Sequence, residues 1–179
     1  AATVNVEGII GAIAAGPWGS TVGVFVGQNV GADNKKRVKH SILLCTALSV
    51  GLAVFIGVFT TVLSAPLLSL FVDSADAVHY GQIRMLYIVL PYFIAALNTI
   101  LSNVIQAFGY SIFCTVNSIF SVFVFRMIWM NNIYPLYPSF HVLMQCFLVS
   151  WTLIAILNLI FFFSLYYGRF KKNKIKKMG

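Results

Sequence analysis

The 179-residue chain is 60% hydrophobic and only 9% charged, where soluble domains carry about a quarter charged residues, so a soluble globular fold is excluded. Its net charge of +8 is concentrated: four basic residues are Lys35, Lys36, Arg37 and Lys39, six more (Arg169, Lys171, Lys172, Lys174, Lys176 and Lys177) crowd the C-terminus, and only Arg84 and Arg126 lie elsewhere. A nucleic-acid partner would need such charge on a hydrated domain, and no stretch has that composition; the charge reports orientation in a lipid bilayer, with some attraction to anionic headgroups.

The first membrane span is expected over about 4–27, long enough for a hydrocarbon core of about 30 Å. Its middle holds Gly16-Pro17-Trp18-Gly19, where proline removes a backbone hydrogen bond and predicts a kink. Carbonyls freed at membrane depth need a partner or water, so Pro17 reads either as a transport hinge or as a static kink. The basic loop at 31–40 follows. A second span is expected over 41–63, with Ala47, Ser49, Gly51, Ala53 and Gly57 allowing close helix approach. The polar stretch VDSADAVHYGQ, with Asp73 and Asp76, reads as an external loop with room for one helical turn.

A third span, 85–107, carries Pro91 as a second hinge position and places Asn98, Ser102 and Gln106 at spacings of four on one helical face. Lipid tolerates such a stripe poorly, so it faces other helices or a wet cavity. Phe108-Gly109-Tyr110-Ser111 is a very short turn, making the fourth span, 112–130, an antiparallel neighbour that contains Asn117 and Arg126. After a proline-bearing loop, the fifth span, 141–167, ends in Tyr166 and Tyr167 before a basic tail at 169–179. With the loop at 31–40 and the tail on the cytoplasmic side, ten of the twelve basic residues fall inside.

Chemistry-bearing residues are sparse. Of the four acids, Glu7, Asp33, Asp73 and Asp76, only Glu7 is available at membrane depth, and it is expected to pair with Arg126 or to share a polar pocket with it. The alternative is that Arg126 snorkels or bonds carbonyls while Glu7 is wet at the interface. His40, His79 and His141 sit at span ends or in loops, and no catalytic set, metal cluster or phosphate loop is legible, so the chain is not expected to be an enzyme or to use a cofactor. Cys45, Cys114 and Cys146 read as packing residues. Aromatic residues, at 15%, suit flat or cationic amphiphiles.

Asn5-Val6-Glu7-Gly8 and Phe25-Val26-Gly27-Gln28-Asn29-Val30-Gly31-Ala32 with Arg37 resemble the second helix and following loop of the C-terminal lobe in multidrug and toxin extrusion (MATE) transporters. Ala65-Pro66-Leu67-Leu68 with Leu70-Phe71, the Gly109-Tyr110-Ser111 turn, Phe125-Arg126 with Trp129, and Pro135-Leu136-Tyr137-Pro138 continue the resemblance in order. It implies an all-α integral membrane protein in which residues 1–168 supply helices eight to twelve of a twelve-helix, two-lobe antiporter. Such a protein exports drugs or organic cations across the plasma membrane against protons or sodium.

The missing partners are then an N-terminal lobe and helix seven, with the coupling-ion site outside this stretch. The chain starts at Ala1 without an initiator Met, a basic n-region or a cleavage motif, so no signal peptide is expected and the sequence reads as the C-terminal part of a longer protein. Relatives commonly carry Leu-Arg-Gly where Ile105-Gln106-Ala107 stands, and Tyr110 or Ser111 occupies the position of a cation-site Asp found in some members. Glu7, Asn98, Ser102, Gln106, Asn117 and Arg126 are the expected cavity residues. A lipid-linked saccharide flippase of the same superfamily and a non-transporting structural subunit are the alternatives.

Overall fold

Apolar runs of this length must satisfy their backbone groups internally in lipid, and a helix does so within one segment. The computed structural model describes residues 2–69 and 74–176, with side chains described over 3–69 and 74–168. Among them all regular structure is helical, and five helices are long and apolar enough to cross a membrane: Thr3–Gly31, Lys35–Val62, Ala75–Ala107, Ser111–Asn132 and Phe140–Gly168. The protein is therefore a multi-pass membrane protein.

Three helices begin or end away from the expected bounds, each for a local reason. The second span starts at Lys35 because the Asn34 side chain accepts from the Arg37 backbone N–H at 3.2 Å, so the basic run forms its first turns rather than a loose loop. Those cations oppose the helix dipole, so the cap and the apolar run behind it, not charge, start this helix. The stretch expected as an external loop is helical from Ala75 onward, with Asp76 in its first turn, where a carboxylate favours the dipole. Asp73, Leu70 and Phe71 lie outside the described residues. In the fifth helix the backbone continues unbroken to Lys176, carrying the aromatic belt into the tail.

Both prolines follow a π-helical turn, Gly11–Ala15 before Pro17 and Met85–Val89 before Pro91. The Gly16 N–H reaches back five residues to the Gly11 carbonyl, and the Leu90 N–H reaches the Met85 carbonyl in the same way at 2.9 Å. A wider turn absorbs the donor that each proline lacks without ending the span. A third π turn, Ile119–Val124, interrupts the fourth span with no proline beside it.

The third span is the centre of the bundle, packing against the first, second and fifth, while the fourth lies against the third and fifth. Its apolar core is layered by depth. Near the end away from the basic loop, Ile10, Ala14, Ala53, Met85, Val89 and Ala96 gather around the two π turns. Near the basic end, Val22, Val26, Val38, Ile100, Val104 and Phe108 form the second layer. The third span closes with Gly109 at φ 94° and a Tyr110 N–H to Ile105 carbonyl bond at 3.2 Å, a glycine-dependent helix ending that turns the chain straight into the fourth.

Candidate functional site: polar groups at membrane depth

One face of the second span packs against the backbone beside the two proline breaks. Ser49 Oγ donates to the Ala14 carbonyl at 2.6 Å in a fully buried setting. Two turns on, Gly57 lies so close to the second break that a Cβ there would stand 2.9 Å from the Val89 carbonyl oxygen and 3.3 Å from that of Leu90. Ser49, Ala53 and Gly57, four apart, are all buried, whereas Ala47 and Gly51 are exposed. The small residues thus divide between a contact face and a lipid face.

At the end away from the basic loop, Glu7 forms an ion pair with Arg84, with Nη2 to Oε2 at 2.8 Å and both side chains 25% exposed. This corrects the expected Glu7–Arg126 pairing. Arg84 reaches Glu7 because the third helix begins at Ala75, which draws Arg84 into the bundle wall opposite the first span. Arg126 is satisfied elsewhere: its Nε donates to Ser150 Oγ at 3.1 Å, and its guanidinium carbon lies 4.2 Å above the Phe147 ring centre. Tyr92, whose hydroxyl stands close to Gly11 on the first span, packs its ring edge-on against Trp151 at 5.8 Å.

A second polar system joins the third, fourth and fifth spans. Asn158 is its hub: Nδ2 donates to Ser102 Oγ at 3.2 Å, and Oδ1 accepts from Asn117 Nδ2 at 2.8 Å. Ser121 Oγ, inside the π turn, donates to Asn117 Oδ1 at 3.0 Å. Asn98 donates to the Trp151 carbonyl at 3.0 Å, and its Oδ1 is buried without a partner among the described residues.

The expected stripe of Asn98, Ser102 and Gln106 is thus broken. Asn98 is buried and Ser102 bonded across the bundle, but Gln106 is exposed. At about 100° per residue, every step of four drifts about 40°, so Gln106 has rotated about 80° from Asn98 and leaves the shared face. Asn103, off the line, instead lies against the first span, where a Cβ on Gly19 would stand 3.0 Å from its Nδ2.

Ser150, Asn158 and Arg84 carry these sites and escaped sequence reasoning. A lone amide in AILNLI was the available signal for Asn158, since a polar residue in so apolar a run needs a partner on another helix. Arg84 was hidden by being placed one residue outside the third span, and Ser150 looked like an ordinary small residue. Among the described residues no group of three or more His, Cys, Asp or Glu side chains is close enough to hold a metal ion. What the geometry offers chemically is one carboxylate at membrane depth whose counter-ion is another side chain, and a neutral amide network whose groups are bonded to each other.

A family model described as MatE matches residues 1–130, which takes in the first three spans and all but the last two residues of the fourth. No curated protein and no solved structure matches the chain.

Proposed function

The chain belongs to the MatE family of membrane transporters, and on that premise we propose that it is part of a secondary antiporter exporting drugs or organic cations in exchange for protons or sodium. It supplies the C-terminal lobe, helices eight to twelve, and works with an N-terminal lobe and a seventh helix. It sits in the plasma membrane with the 31–40 loop and the basic tail cytoplasmic, as the charge asymmetry favours.

The observation that carries this reading is the Glu7–Arg84 pair. A carboxylate held by a side-chain counter-ion at membrane depth exchanges that partner when a proton or a cationic substrate arrives, and intramembrane ionisable pairs mark ion and substrate pathways. Glu7 and Arg84 are therefore assigned to the cavity wall. Ser102, Asn117 and Asn158, whose groups are bonded to one another, are assigned to holding helices together.

The test is efflux of a cationic dye from cells lacking their own exporters, with the chain expressed alone and together with an N-terminal lobe. Expected are no efflux from the chain alone and gradient-dependent efflux from the pair, lost on Glu7→Gln. Full efflux from the chain alone, or efflux from the pair that survives collapse of both the proton and sodium gradients, overturns the reading.

A further inference from the structure

Near the basic end of the bundle, the second and fifth spans leave a sideways-open groove of about 380 Å³. Its floor and walls are Leu43, Thr46, Phe162, Phe163 and Tyr167, and Lys39 lines it too, from the membrane-boundary end of the second helix. Phe162 is packed onto the buried layer of Val22, Val26 and Val104, so the back wall is fixed before any ligand arrives. Leu43, Phe163 and Tyr167 are 65%, 50% and 68% exposed and present apolar area outward. The Phe163 and Tyr167 rings run parallel along the helix, with centres 6.3 Å apart.

We propose that this groove is a binding site for one anionic phospholipid, its headgroup on Lys39 and an acyl chain laid along Leu43 and Phe163. Groove and ligand match in polarity. A cation and a phenol close to a wall of exposed hydrocarbon suit a ligand that is anionic at one end and apolar along the other, in a membrane where such molecules are abundant. The same helix provides a contrast: farther along, a groove of about 580 Å³ lined by Val54, Phe55, Val58 and Phe59 has no charged residue, and it offers ordinary acyl contact without selectivity. The proposal requires only that the chain span a bilayer, and it is independent of transport direction or substrate.

The experiment is native mass spectrometry of the purified chain titrated with phosphatidylglycerol or with phosphatidylcholine of identical acyl chains. One basic residue near an anionic surface contributes about 1 kcal/mol, so the first phosphatidylglycerol is expected to bind about fivefold more tightly than the first phosphatidylcholine. Lys39→Ala and Lys39→Glu should abolish that preference and Lys39→Arg should keep it. Phe163→Ala should weaken both lipids, and Phe55→Ala, in the contrasting groove, should leave the first phosphatidylglycerol unchanged. Inorganic phosphate should not displace it. Equal affinity for the two lipids overturns the proposal, as does a Lys36→Ala variant that loses as much preference as Lys39→Ala, since diffuse charge would then suffice. Retention of Lys39→Arg binding together with loss in Lys39→Glu separates a lost site from a misfolded chain.

Discussion

Glu7 and Arg84, 77 residues apart in sequence, face each other at 2.8 Å between the first and third spans. Removing one member leaves the other charged and partnerless in a setting only a quarter exposed. Arg84→Ala is therefore expected to cost about 1–2 kcal/mol, between the value of an exposed pair and the 3–5 kcal/mol of a fully buried one. The charge-swapped double variant Glu7→Arg with Arg84→Glu should recover part of it. Thermal unfolding of the purified protein in detergent reads this, and a neutral Arg84→Ala would show that the pair contributes nothing to folding.

The Asn158 hub makes two side-chain bonds, to Ser102 and Asn117. Interhelical bonds of this kind in membranes average about 0.6 kcal/mol, with a maximum near 1.7. Asn158→Leu should lower stability by about 1–2 kcal/mol. A double-mutant cycle of Asn117→Ala with Asn158→Ala should show a coupling of about 0.6–1.7 kcal/mol. Strict additivity of the two single changes would dissolve the network into independent contacts.

The second span's contact face gives a graded series. Ser49→Ala removes the buried bond to the Ala14 carbonyl and is expected to cost about 0.5–1.5 kcal/mol. Gly57→Ala forces its methyl onto backbone oxygens and should cost about as much by overpacking. Gly51→Ala meets nothing within 4 Å and should be neutral or slightly stabilising. Melting midpoints of the three variants, measured side by side, check the order.

Orientation is tested by single cysteines at positions 36 and 174 in a background lacking Cys45, Cys114 and Cys146. An impermeant maleimide should label both in inside-out vesicles and neither in intact cells. Labelling of either position from the cell exterior would reverse the arrangement.

Much of the fold was legible because five apolar runs of membrane length leave little choice of secondary structure, and because Pro17 and Pro91 announce a break wherever they fall. The form of the break was not, since what packs against it comes from another helix: Ser49, which donates to the Ala14 carbonyl, lies 35 residues away. In the candidate site, Asn98, Ser102 and Asn117 were visible as polar groups where lipid forbids them. Their partners were not, because pairing between helices depends on rotation and depth, which a sequence of single helices leaves undetermined. Glu7 was recognised and its partner misassigned for a related reason: Arg126 stood deep in an apolar run while Arg84 stood at an assumed helix edge, and the longer third helix reversed their claims.

The turn at Phe108-Gly109-Tyr110 bears on how the third and fourth helices can move. With Gly109 at φ 94° there is no slack between the third and fourth helices, and their facing ends cannot drift apart by more than the turn itself. A tilt or shift of one helix at this end is therefore passed to the other, and the two move as a pair.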